Sequence, residues 1–356
     1  RSGASTSAPA ICSCAAGNTA GRSRRSPTAS RSRTTAASNH AQAFRADCCS
    51  PSTDASSRGG TCACADASCE RDEALTVINT RFVDLPSGQR IAVRVREAPS
   101  GRRPSTVLLC LHGMPGRGAD FDPLLSAMPA DWRCLAPDRA GYGDSRPLHP
   151  DSCAGPEGEA RRLLALLDAL AIDRVLLLAW SWAGLVAGTA SRVAPDRFRG
   201  IMLVGAVGPD FTFPRDLLDR LLFRTPLGSR VLELGARLLP GQFRAPLDAA
   251  LGEPAPQGLF DRLLEDARRD ETRRRWLEDG RALRPAAMQL PPAAVTTWLL
   301  HGTADRAVPV AVARATAARR PGTRLIELGQ GGHWPFRTAR VRTASALVEL
   351  AAETRP

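Results

Sequence analysis

Apolar residues along this chain follow two rhythms. Short, almost unbroken apolar runs recur at 106–111, 132–136, 175–180, 201–207, 294–300 and 324–328. Runs of that length and purity predict strands buried on both faces of a parallel sheet. Between them the spacing turns helical. Leu163, Leu166, Leu167 and Leu170 fall at i, i+3, i+4 and i+7 within a predicted helix over 157–171, and further helices are predicted over 308–318 and 340–352. Ahead of these, 77–85 and 90–96 read as two strands joined by a turn at Pro86-Ser87-Gly88. Alternating buried strands and helices imply an α/β fold, with a mostly parallel central sheet covered by helices on both faces.

Residues 209–290 break the alternation. They contain no strand-like run, only helical groupings such as Leu217, Leu218, Leu221 and Leu222, then Val231, Leu234 and Leu238, then Phe260, Leu263 and Leu264, then Trp276 and Leu277. An all-helical insertion between two sheet strands reads as a lid. It would lie beyond the carboxyl ends of the strands, where open α/β sheets bind ligands. The expected organisation is a core of 73–208 and 291–356 with a helical cap at 209–290. Residues 1–72 are rich in Ser, Ala, Thr and Arg, have no hydrophobic periodicity and carry no acid before Asp47. That composition predicts a disordered tail. It lacks the apolar stretch of a secretory signal, resembles a transit peptide in being Arg- and Ser-rich, and is treated as an extension or misplaced start outside the fold. With no run long enough to span a membrane, the expected location is cytoplasmic.

Charge adds little. The formal net charge is +12, and all 48 basic residues are arginine. Arginines interleave with carboxylates, as where Arg273-Arg274-Arg275 sits among Asp270, Glu271, Glu278 and Asp279. The expectation there is a solvated helix face, with no nucleic-acid or membrane partner. Seven of the ten cysteines precede residue 70, without paired C-x-x-C spacing, so neither a zinc site nor a closed disulfide framework is expected. Cys110 and Cys134 fall inside apolar strands and read as small core residues.

The candidate chemistry gathers around one serine. After the run Val175 to Leu178 the chain passes through Ala179-Trp180-Ser181-Trp182-Ala183-Gly184 and into a second apolar segment. A strand turning sharply into a helix projects its middle residue, and the crowded turn needs small residues two before and two after; Ala179 and Ala183 qualify. This is a variant of the G-x-S-x-G elbow, with alanine in both glycine positions. Serine needs a base to take its proton. Of five histidines, His40 lies in the tail and His149 beside a proline, while His112 and His301 precede glycines at strand ends, where imidazoles brace turns. His333, after Gly331-Gly332 and past the last strand, is the candidate base. Asp305, past the preceding strand, is the candidate acid to fix the imidazole tautomer, with Asp210 in reserve. An oxyanion needs fixed N–H donors; Trp182, following the serine, and Met114, in the loop His112-Gly113-Met114-Pro115-Gly116, are the candidates. Gly113, Pro115 and Gly116 are expected to let that loop turn tightly.

Four separated segments, in order, resemble the α/β-hydrolase family with a helical cap: the His112 to Gly116 loop, Asp138-Arg139-Ala140-Gly141-Tyr142-Gly143-Asp144-Ser145, the Ser181 elbow, and Asp305 followed by His333. The resemblance implies Ser–Asp–His hydrolysis of a small-molecule substrate through an acyl-enzyme, without metal or organic cofactor. Serine at the elbow sets the chain apart from haloalkane dehalogenases and epoxide hydrolases, which place aspartate there. A carboxylic-ester hydrolase for a small or medium apolar acyl group is the first reading, its pocket including His112, Gly113, Trp180 and Trp334. Prolyl aminopeptidase-like, perhydrolase and haloperoxidase-type, and non-catalytic ligand-binding activities stay open, as does the oligomeric state.

Overall fold

The computed structural model describes residues 77–355, with gaps at 102, 146–153, 214–215, 253 and 284–288. The chain divides into two units, Arg1–Ala67 and Ser68–Pro356, and all described residues belong to the second. The expectations for the tail, for His40 and His149, and for the seven clustered cysteines lie outside the described residues.

Among the described residues eight strands form one sheet: β1 (Asn79–Asp84), β2 (Arg90–Arg96), β3 (Thr106–Leu111), β4 (Trp132–Pro137), β5 (Val175–Trp180), β6 (Phe198–Val204), β7 (Thr297–Gly302) and β8 (Arg324–Leu328). Their order is β1-β2-β4-β3-β5-β6-β7-β8. β2 runs antiparallel to both its neighbours, and every pair from β4 to β8 is parallel. Among the described residues eleven α-helices accompany the strands. α1 (Asp122–Ala127), α2 (Gly155–Ala169) and α3 (Ala183–Val193) precede β6. α4 (Leu217–Arg224), α5 (Gly228–Leu238), α6 (Arg244–Leu251), α7 (Gln257–Arg268) and α8 (Asp270–Ala282) fall between β6 and β7. α9 (Val310–Arg319), α10 (Pro335–Thr338) and α11 (Arg340–Glu353) close the chain.

The unbroken apolar runs have a direct structural cause. Successive strand residues point to opposite faces, and here both faces are covered. Leu109, Leu177, Ala179 and Ile201 pack with Leu163, Leu167 and Val186 of α2 and α3. Their neighbours Leu108, Cys110, Leu176 and Leu178 pack on the other side with Leu124 and Leu125 of α1 and Leu347 and Leu350 of α11. Cys110 and Cys134 are buried free thiols in that second layer. Burial pushes the Cys134 thiol up to about 11 against the opposing pull of Arg96.

Several boundaries shift by a few residues from the sequence reading, among them the start of β7 at Thr297 rather than 294, and two of the shifts have a visible cause. The strand expected over 201–207 runs from Phe198 to Val204, because Gly205 takes φ +50° and ends it. Helix α9 starts at Val310, after Pro309. A larger difference lies in the inserted helices. Leu217, Leu218, Leu234 and Leu238 were grouped by helical spacing, yet all four stay exposed. Among the described residues no helix is long and apolar enough to cross a membrane.

The sheet order reverses around β3: β4 follows on one side and β5 returns on the other. The carboxyl ends of β3 and β5 therefore flank a crevice, the place where open α/β sheets bind ligands. The loop from His112 leaves β3 at that edge, and Ser181 leaves β5 beside it.

Candidate active site

Ser181 joins β5 to α3 with φ +56°, a left-handed conformation rare for a residue with a Cβ. Such strain costs roughly 1–3 kcal/mol and needs a surrounding structure to enforce it. That enforcement comes from β6 and the segment after it: Ser181 N–H donates to Val204 O at 3.0 Å, and Val207 N–H donates to Ser181 O at 3.3 Å. Ala179 and Ala183, both fully buried, flank the turn as the elbow pattern requires.

His333 Nε2 stands 3.0 Å from Ser181 Oγ, and its Nδ1 stands 2.7 Å from Asp305 Oδ2. The three residues come from the ends of β5, β7 and β8, separated in sequence and joined by the sheet. The His333 loop is tied down by Trp180, whose indole N–H donates to His333 O at 2.8 Å. Asp305 does two jobs. Its Oδ1 accepts from Ala307 N–H at 2.9 Å and Val308 N–H at 2.8 Å, bracing the turn before α9. Its Oδ2 faces His333, with His301 Nε2 at 3.3 Å. Burial alone would raise the Asp305 pKa, but the charge of His333 and the hydrogen bonds from His301, His333 and Val308 bring it down to about 2.

Gly205 went unnoticed in the sequence. A Cβ there would stand 3.2 Å from both Asp305 Oδ2 and His333 Nδ1, at a positive φ besides. Gly113 is needed for clearance rather than for a tight turn: its φ is not positive, and a Cβ would come within 2.6 Å of Ser181 Cβ and 2.9 Å of Trp180 O.

Ser181, His333, Met114, Trp180, Trp182 and Trp334 line one cavity of about 190 Å³, together with Phe211, Phe213, Leu247 and Leu283. Among the described residues no group accepts from the backbone N–H of Met114 or Trp182. The cavity lining carries no carboxylate among the described residues.

Three expectations are corrected. His112 and Gly113 do not line the cavity. His112 is fully buried behind it, donating from Nδ1 to Gly113 O at 2.9 Å and accepting at Nε2 from Arg139 N–H at 2.9 Å. Burial and the Arg139 charge push its pKa well below the usual histidine range, so it stays neutral. Asp210, the reserve acid, lies elsewhere, paired with Arg319 at 2.5 Å. The solvated face around Arg273 to Arg275 is half buried: Arg273, Arg275 and Asp279 are within, while Asp270, Glu271, Arg274 and Glu278 are exposed.

Those buried charges bind α8 to the core. Asp279 Oδ2 accepts from Arg139 Nη2 at 2.7 Å and Tyr142 Oη at 2.6 Å. Arg275 Nη2 stands 3.0 Å from Asp279 Oδ1, as an ion pair, and donates to Glu159 Oε1 at 2.8 Å. The Arg139 guanidinium lies 4.3 Å from the Trp182 ring, donates to Gly113 O, and so touches both loops beside Ser181. Trp182 Nε1 donates to Asp279 O at 2.9 Å. Helix α7 is held likewise by Arg117 to Asp266, and by Arg262 to Asp120. The Asp138 segment stitches the strand-end loops together: Asp138 accepts from Gly118 N–H at 2.6 Å and Asp144 N–H at 2.8 Å. Among the described residues no cluster of three or more His, Cys, Asp or Glu side chains is placed to hold a metal ion.

Residues 108–346 match the model of the alpha/beta hydrolase family. The chain belongs to that family. Curated relatives include 2-hydroxymuconate semialdehyde hydrolase from Pseudomonas sp. (strain CF600), 28% identical over 69% of this chain and 87% of its own length. Another is pimeloyl-[acyl-carrier protein] methyl ester esterase from Neisseria meningitidis, 26% identical over 64% of this chain and 85% of its own. Polyketide synthase ThaQ from Burkholderia thailandensis, 28% identical, is far longer, and the match spans 12% of it. Among solved structures, an esterase from Exiguobacterium antarcticum superposes with a TM-score of 0.61 at 18% identity, covering 77% of this chain and all of that one, a likeness of fold. At the level of the superfamily the protein is a hydrolase.

Proposed function

We propose that the protein is a carboxylic-ester hydrolase acting through an acyl-enzyme on Ser181, with residues 209–290 as its cap. The observation that carries this reading is the Ser181–His333–Asp305 relay at 3.0 and 2.7 Å, opening on an apolar cavity. His333 Nε2 takes the Ser181 proton as Oγ attacks the ester carbonyl. The negative oxygen settles between the Met114 and Trp182 N–H groups, fixed dipoles that need no reorganisation. Asp305, ionised at any ordinary pH, stabilises the imidazolium. His333 then hands its proton to the departing alcohol, and a water repeats the sequence to release the acid.

The cavity lining favours an ester over an N-terminal peptide. A substrate ammonium would need a carboxylate, and Asp210 pairs with Arg319 while Asp216 caps α4 through Asp219 N–H. The test compares kcat/KM for p-nitrophenyl acetate and proline-β-naphthylamide. Faster ester turnover is expected; turnover of the proline amide alone would replace this reading with an aminopeptidase.

A further inference from the structure

The peptide group between Gly113 and Met114 is held from behind. It is trans, so its C=O and its N–H point in opposite directions within one plane. Gly113 O accepts from Arg139 Nη2 and from His112 Nδ1, each at 2.9 Å. Both donor side chains are buried, and neither lines the Ser181 cavity. The carbonyl is thus drawn away from the cavity, which turns the Met114 N–H toward it. That peptide also lies against the serine: a Cβ on Gly113 would stand 3.2 Å from Ser181 Oγ. A charged donor on the carbonyl polarises the amide and strengthens its N–H as a donor.

The same guanidinium lies 4.3 Å from the ring of Trp182, whose backbone N–H is the other candidate oxyanion donor. Asp279 of α8 holds both parts. Its Oδ2 accepts from Arg139 Nη2 at 2.7 Å, and its backbone oxygen accepts from Trp182 Nε1 at 2.9 Å. A single nitrogen, Nη2, therefore joins α8 to the Gly113 carbonyl. We infer that Arg139 is a positioning residue for the two oxyanion donors, and that Asp279 ties their alignment to the seating of α8. The inference rests on the ester-hydrolase reading. Arg139 meets no substrate; it acts through the Gly113 peptide and the Trp182 ring. A displacement of α8 would loosen both donors together, so the inserted helices would govern transition-state stabilisation without supplying a reacting group.

The test uses the full chain carrying Arg139→Met, which keeps much of the side chain's bulk and removes its donors. With p-nitrophenyl acetate, kcat should fall at least about tenfold while KM stays within about twofold of wild type, because the oxyanion develops only on the way to the transition state. The matching thionoester places sulfur where the oxyanion forms and gains less from N–H donors. Its turnover should fall less, so the oxo-to-thiono ratio of kcat/KM should shrink at least about threefold. A lowered melting temperature with kcat and that ratio unchanged would make Arg139 an anchor for α8 alone and overturn the inference, as would equal falls for the two substrates. Asp279→Asn should shrink the same ratio, and an unchanged ratio there would overturn the tie to α8. Should Arg139→Met not fold by circular dichroism, Arg139→Lys keeps a positive charge beside Asp279 but lacks the planar fork, and the same drop in ratio is expected. If wild type turns over no ester, the hydrolase reading has failed, and the positioning is read by hydrogen exchange instead. The peptide carrying Met114 should then exchange at least about tenfold faster in the Arg139 variant than in wild type, and equal exchange would overturn the inference.

Discussion

Two buried polar networks sit within a few residues of each other and differ in kind. One runs Ser181–His333–Asp305 and ends on a hydroxyl that faces a cavity. The other runs Arg139–Asp279–Arg275–Glu159, with Tyr142, and joins α8 to the loop following β4 and to α2. The first is short, neutral at its open end and built on strand-end loops. The second carries charges with no exposed member, and among the described residues Arg139 Nε and Nη1 have no acceptor, the guanidinium lying over the Trp182 and Tyr142 rings. Buried ion pairs contribute little net stability but are costly to break. The second network is therefore a clamp that fixes where α8 sits over the first, and its loss should be felt as stability before chemistry.

Substitutions separate the two. Ser181→Ala should lower ester turnover by at least about ten-thousandfold with an unchanged melting temperature; equal activity would end the mechanism. Asp305→Asn should cost on the order of a thousandfold or more in kcat, while Asp210→Asn should stay near wild type, and a reversal of that pair would reassign the acid. In the clamp, Asp279→Asn leaves two buried guanidinium groups short of a partner. It should cost about 3–5 kcal/mol in denaturant unfolding, against about 0.5 kcal/mol or less for the exposed neighbour Arg274→Ala. Equal costs would mean that the buried charges hold nothing.

The smallest effect is one of pH. Burial lifts the Asp138 pKa to about 6, against the pull of the Asp144 and Gly118 N–H groups and Arg117. A carboxyl whose pKa rises on folding binds its proton more tightly in the fold than in the unfolded chain. Stability should then fall as pH climbs from about 4 to about 6, by on the order of 3 kcal/mol, and level off above. Melting curves of Asp138→Asn across that window should lose this slope, and an unaltered slope would place the titration elsewhere.

The first network was legible in the sequence because its cues are local. A small-Ser-small turn after an apolar run, a glycine pair before a histidine and an aspartate after a strand each sit within a few residues. The clamp was not. Arg275 and Asp279 are one helical turn apart, which reads as an ordinary exposed pair; their burial depends on Arg139 and Glu159, more than a hundred residues away. The same limit applies to the leucines of the inserted helices: helical spacing located α4 and α5, but spacing does not say whether Leu217 or Leu238 is covered. His112 was half legible. Its place before a glycine suggested a turn brace, which it is, while its place in a loop near the serine suggested a pocket wall, which it is not. Gly205 gave no signal, since its demand comes from side chains on two other loops.

The most direct test of the central claim is labelling by a fluorophosphonate, which reacts only with an activated serine. The full chain is treated with the probe and digested, and the modified residue is located by mass spectrometry beside Ser181→Ala and Asp305→Asn. The account predicts modification at Ser181, none in Ser181→Ala and much slower reaction in Asp305→Asn. A folded protein left unlabelled, or labelled at another serine, would contradict it.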